Sequence, residues 1–176
     1  MTLLNYCKDL KEATFFGGSF NPWHSGHTAC IKAFPKDKKL IVVPDFNPEK
    51  EVTDRSKDFY QEVVKASQKP ESEVYPGFLL EKKKNPTYFW VKELSGLKVN
   101  LLLGADSFLN LKSWIEGEKL VKLLHGIYVV PRLAEESSLK KEADFLLALN
   151  PDLKIIFLPH HPYEDLSSTK IRLNNK

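Results

Sequence analysis

The sequence has no apolar run approaching the roughly 20 residues that a membrane-crossing helix needs, so no membrane partner is expected. The start, Met1 to Asp9, has no basic leader followed by an apolar stretch, and predicts no secretory signal. There are only two cysteines, Cys7 and Cys30, in neither a CxxC pair nor a zinc spacing; a reduced, cytoplasmic protein is expected, with Cys30 a core residue. Charge of one sign is also scarce. Lys and Arg number 26 against 23 Asp and Glu, a net +3 that suits a small anionic substrate but is too weak to imply a nucleic-acid partner. The densest basic cluster, Lys82-Lys83-Lys84, reads as a solvated loop. No internal repeat and no low-complexity segment occurs.

What is present is a core. Apolar residues make up 42% of 176 positions, enough for one ordinary domain over residues 1–176, with 1–12 as an N-terminal extension. That extension forms either a short packed helix or an arm. Strand-length apolar runs recur at 13–16, 40–43, 99–103, 127–130 and 154–158; most are near-continuously apolar, as for parallel strands buried on both faces. Helical stretches fall between them, at 25–34, 54–67, 87–94, 116–124 and 139–149. The alternation predicts an α/β fold: a Rossmann-like, open, mostly parallel sheet with helices on both faces, and ligands at the carboxyl ends of the strands. Residues 68–86, rich in Pro, Lys and Glu, predict a long mobile loop.

Two segments carry chemistry. In the first, an apolar strand runs into Gly17-Gly18, which permit close approach of a ligand, and Asn21-Pro22 makes a turn. A helix then begins near Ser25. Its first turn holds His24 and His27 but no Asp or Glu, so an outside anion is expected at the positive helix end, met by free backbone N–H groups. The loop is neither a Walker A, since no Gly-Lys-Ser/Thr follows, nor a GxGxxG fingerprint. In the second segment, Ser167 or Ser168 is a ready N-cap, yet the turn beyond it carries Lys170 and Arg172. Cations at the positive end of a helix again ask for an anion, which Arg172 could hold in a bidentate way, unless they are merely solvated.

These segments resemble those of HxGH nucleotidyltransferases, and above all of bacterial nicotinate (or nicotinamide) mononucleotide adenylyltransferases. The GGxFxPxHxGH pattern is matched by Gly17 through His27, and SSTxIR by Ser167-Ser168-Thr169-Lys170-Ile171-Arg172. A GxDxxxxxxxW element is matched by Gly104, Asp106 and Trp114, and a Pro-Ser/Thr-Tyr segment by Pro86-Thr87-Tyr88. The likeness spans roughly residues 13–173. Three positions depart from the pattern: Glu49 stands where the VPxxxPPHK stretch has His, Arg132 is followed by Leu133 in place of RPG, and the N-terminus is longer.

The resemblance implies a nucleotidyltransferase domain that uses ATP and a pyridine mononucleotide. It implies His24, His27 and Arg172 as catalytic groups, with His27 at the α-phosphate. It implies ATP contacts from Gly17, Gly18, Ser19, Phe20, Gly104, Asp106, Ser167, Ser168 and Thr169: backbone N–H groups of Ser19 and Phe20 on phosphate, Asp106 on ribose hydroxyls. Lys50, Thr87, Tyr88 and Trp114 would take the mononucleotide, Trp114 by stacking. Mg²⁺ would bridge the phosphates without dedicated protein ligands. Bland readings remain: a helix cap for Asp106, core packing for Trp114, a surface position for Lys50. His125, His160 and His161 read as loop or surface residues without a role. Two other functions share the loop: a pantetheine-phosphate adenylyltransferase, and an inactive nucleotide-binding regulatory domain.

Overall fold

The structure is a computed structural model that describes residues 2–20, 22–45, 61, 63–65, 72–78, 85–167 and 171. Six parallel strands form one sheet: β1 (Glu12–Gly18), β2 (Leu40–Pro44), β3 (Ser72–Val74), β4 (Lys98–Gly104), β5 (Gly126–Val130) and β6 (Lys154–Phe157). Their spatial order is β3-β2-β1-β4-β5-β6. The chain therefore builds outward from β1 in one direction, then returns to β4 and builds in the other. The carboxyl ends of β1 and β4 flank the point of reversal, where an open α/β sheet leaves a crevice. The Rossmann-like expectation is met.

Helices fill the two faces: α1 (Leu3–Tyr6), α2 (Ser25–Ala33), α3 (Thr87–Glu93), α4 (Ala105–Leu109), a 3-10 turn (Leu111–Ser113), α5 (Gly117–Leu123) and α6 (Glu136–Leu149). Successive strand residues point to opposite faces, so one run feeds two cores. Phe15, Ile41, Val43, Leu101, Leu103, Ile127 and Val129 pack with Trp90, Phe108, Leu120 and Leu146. Phe16, Val42, Leu102, Tyr128 and Val130 pack on the other face with Ile31 and Phe34. Full burial of each such side chain contributes about 1.5–3 kcal/mol.

The structure differs from the sequence expectation in three places and decides a fourth that the sequence left open. Within the stretch expected as a loop, Ser72–Val74 pairs with β2 as an edge strand. Its pattern was silent because Glu73 faces outward, held by Lys39 and by the Tyr6 hydroxyl at 2.6 Å. β6 is paired as expected but is not buried on both faces; as the other edge it exposes Ile156 and Phe157. The N-terminal extension is a packed helix, not an arm: Thr2 caps α1, and Leu3 and Cys7 are buried in the core. Burial pushes the Cys7 thiol up to about 11. Helix α6 also starts earlier than expected, at Glu136. Of the helix expected over 54–67, residues 61 and 63–65 are helical and the rest lie outside the described residues.

Candidate active site at the reversal point of the sheet

β1 ends in Gly17-Gly18. A Cβ on Gly17 would meet nothing within 4 Å, so the space above it is open to a ligand. Two residues on, Phe20 takes a left-handed backbone, φ 46°, which disfavours a bulky side chain. Burial of its ring offsets that strain: it packs against Phe16 at 5.2 Å and against Trp23 and His27 at 5.0 Å. The Phe20 side chain is thus a wedge under the loop, and its backbone is what remains for a ligand.

The two histidines are arranged differently from the sequence expectation. His24 is the N-cap of α2, and its Nδ1 accepts the Gly26 N–H at 3.1 Å. In return, His27 Nδ1 accepts the His24 N–H at 3.3 Å. This is the reciprocal logic of a capping box, made with imidazoles. The N–H groups of His27 and Thr28 both turn back to the His24 carbonyl. The expectation of free backbone N–H groups at this helix start is therefore corrected: the histidines take two of them. The exchange sets the tautomer. With both Nδ1 atoms accepting, each neutral ring carries its proton on Nε2. The rings stack with centroids 3.7 Å apart. Burial, and then the Arg132 guanidinium, hold the His24 imidazole below its ordinary proton affinity, which keeps it neutral.

Opposite lies the end of β4. Gly104 precedes α4, and Asp106 sits in its first turn with a side chain 76% exposed. The cap reading fails: the N-cap of α4 is Gly104 and no side chain caps it. Asp106 instead pairs with Arg132, Nη1 to Oδ2, at 3.1 Å. Arg132 is the residue the sequence reading undervalued. It follows β5 through Pro131, has φ 51°, donates from Nε to the Glu164 carbonyl at 3.0 Å, and donates from Nη2 to the Leu166 carbonyl. The available signal was an Arg just past the carboxyl end of a buried strand. It ties β5, the start of α4 and the segment after β6 into one unit.

That segment lies across the histidine loop. A Cβ on Gly26 would stand 3.0 Å from His24 Cε1 and Nδ1 and 3.2 Å from the Tyr163 carbonyl. Glu164 holds the turn, accepting the His161 N–H at 3.1 Å and contacting His160 Nδ1 at 2.6 Å. Tyr163 N–H donates to His161 Nδ1 at 3.1 Å, so this histidine shapes the turn and is not an idle surface residue. The turn delivers Ser167, whose carbonyl accepts the Ile171 N–H at 3.1 Å. Ser168, Thr169, Lys170, Arg172 and Lys50 lie outside the described residues.

Of the expected mononucleotide residues, Thr87 and Tyr88 open α3, half-buried. Trp114 closes the 3-10 turn and packs half-buried at the edge of the core. α3 and α5 pack against each other, and the turn ending at Trp114 leads into α5. Among the described residues, no group of three or more His, Cys, Asp or Glu is placed to hold a metal ion.

The Cytidylyltransferase-like family matches residues 15–174 of this chain. The chain belongs to that family. Among curated relatives it is similar to the "probable nicotinate-nucleotide adenylyltransferase" of Caldicellulosiruptor bescii, 30% identical over 92% of this chain and 85% of the relative. A protein of the same name from Sulfurimonas denitrificans is 30% identical over 90% of this chain and 82% of its own length. Its fold is similar to that of Plasmodium falciparum nicotinic acid mononucleotide adenylyltransferase complexed with NaAD, with TM-score 0.70, 24% identity, and 93% and 83% of the two chains covered. The family match runs from β1 past Ser167, so it takes in both ends of the crevice.

Proposed function

We propose that this chain transfers the adenylyl group of ATP to nicotinate mononucleotide, giving nicotinate adenine dinucleotide and pyrophosphate, a step in NAD biosynthesis. The observation that carries the reading is the stacked pair His24 and His27, whose Nδ1 atoms are both taken by backbone N–H groups, with Arg132 near enough to act on His24. The names of the relatives supply the pyridine mononucleotide.

The chemistry is one displacement. A phosphate oxygen of the mononucleotide attacks the α-phosphorus of ATP; the bond to the bridging oxygen breaks and pyrophosphate leaves. Catalysis here is positioning plus charge stabilisation. His27 and His24 donate from Nε2 to phosphate oxygens as charge builds. Gly17 and Gly18 let the triphosphate lie close to the strand end, with backbone N–H groups of Ser19 and Phe20 beside it. Gly104 and Asp106 take the ribose, Asp106 exchanging the Arg132 guanidinium for two hydroxyl donors. Ser167, Ser168, Thr169 and Arg172 hold the β- and γ-phosphates, Lys50 the acceptor phosphate, and Thr87, Tyr88 and Trp114 the pyridine ring. Mg²⁺ arrives with ATP as part of that substrate. The chain acts as one domain in the cytoplasm, consistent with two free, buried cysteines.

The test is pyrophosphate release with a panel of mononucleotides. Turnover is expected with nicotinate mononucleotide, with nicotinamide mononucleotide the near competitor, and none with phosphopantetheine. Failure with both pyridine mononucleotides overturns the reading.

A further inference from the structure

The turn that presents Trp114 is fixed largely by its own backbone. Ser113 N–H donates to the Asn110 carbonyl at 2.9 Å, Trp114 N–H to Leu111 at 3.1 Å, and Gly117 N–H to Trp114 at 2.8 Å. Gly117 closes the turn so tightly that a Cβ there would stand 2.4 Å from the Leu111 carbonyl oxygen. One side-chain tether then ties the turn to the neighbouring helix. Lys112 Nζ meets Glu142 Oε2 of α6 at 2.6 Å and lies 5.0 Å from the Phe145 ring centroid.

Glu142 is an odd residue for that place. Its side chain is 6% exposed, and its Oε1 is buried with no hydrogen-bond partner. A buried carboxylate with one oxygen unsatisfied is costly, and an apolar side chain of similar size would pack there at lower cost. Stability therefore does not explain the carboxylate; geometry does. We infer that Glu142 is a positioning residue for the acceptor-base pocket: it clamps Lys112, two residues before Trp114, and so fixes the turn that presents the Trp114 ring. The inference rests on the proposed function for the identity of the base.

The test compares Glu142→Met, Lys112→Met and Lys112→Arg in the full chain. Glu142→Met is expected to raise KM for nicotinate mononucleotide about tenfold through a displaced ring. KM for ATP and kcat stay within about twofold, because the triphosphate and the reacting atoms are untouched. The thermal midpoint holds or rises. Lys112→Met raises the same KM but lowers the midpoint, because it leaves the buried Glu142 carboxylate unpaired, and Lys112→Arg, which keeps the ion pair, restores the wild-type KM. In a Trp114→Ala background, Glu142→Met adds nothing further. An unchanged mononucleotide KM in folded Glu142→Met overturns the inference. So does an equal loss in every kinetic constant together with a lower midpoint. Should wild type turn over neither pyridine mononucleotide, the function reading fails separately. Amide hydrogen exchange at Trp114 and Gly117 still decides the positioning role: faster exchange in Glu142→Met supports it, and unchanged exchange overturns it.

Discussion

Replacing Gly26 by Ala tests the histidine geometry at its tightest point. The new methyl would stand 3.0 Å from two atoms of the His24 ring and 3.2 Å from the Tyr163 carbonyl oxygen. Ordinary carbon contacts lie near 3.5–4.0 Å, so the imidazole must move by roughly 0.5–1 Å. The carbonyl on the other side limits how far the methyl itself can retreat. Movement of the ring breaks the Gly26 N–H bond to Nδ1, a helix cap worth about 1 kcal/mol. Ala in place of helical Gly returns roughly 0.5–1 kcal/mol, so net stability changes by less than about 1 kcal/mol. Activity should not be spared. A misplacement on the order of 1 Å in a catalytic group costs about a hundredfold. Gly26→Ala is therefore expected to unfold at nearly the wild-type denaturant midpoint while kcat falls about a hundredfold. The assays are urea unfolding followed by far-UV circular dichroism, and pyrophosphate release at saturating substrates. A folded variant with wild-type kcat would refute the reasoning, because the ring would then not need its observed position.

Gly17→Ala is the converse case: the methyl has room in the ligand-free protein, so stability should hold while KM for ATP rises at least about tenfold, and an unchanged KM would show that no ligand lies there. His27→Ala should lower kcat at least about a hundredfold, the scale of one lost transition-state donor, with a smaller change in ATP affinity measured by titration calorimetry. Stability should also depend on pH. Burial lowers the proton affinity of both His24 and His161 below the ordinary 6.5. The unfolded chain therefore takes up these protons at higher pH than the folded chain. The stabilisation is complete above about pH 6.5 and is lost as pH falls through the depressed folded values. Urea midpoints at pH 7.5 and 5.5 should show the drop, and His161→Gln should shrink it; a higher midpoint at pH 5.5 contradicts the assignment.

The strands and helices that could be read from sequence are those with long apolar runs. Leu40–Val43 and Val99–Leu103 are buried on both faces, and continuous hydrophobicity has no other cheap explanation. β3 has one apolar residue in three, because an edge strand needs apolar contact on less of its surface. Gly17, His24 and Asp106 could be located because each lies at a strand end next to a helix start. Their packing could not: Tyr163, whose carbonyl lies against Gly26 in the histidine loop, comes from far along the chain. Arg132 was undervalued for the same reason, since its partners Asp106, Glu164 and Leu166 come from two other segments.

The overlap of Gly26 with Tyr163 has a consequence for biosynthesis. The histidine loop leaves the ribosome before β4, the strand that closes its crevice. Tyr163, which lies against Gly26, and the Glu164 and Leu166 carbonyls that grip Arg132 come later still. A nascent chain can thus carry every residue from Gly17 to Phe157 and still lack the backbone that lies against Gly26 and holds Arg132. Assembly of the site waits for the residues that follow β6, so a chain truncated after Phe157 is expected to be inert, not a hydrolase that consumes ATP.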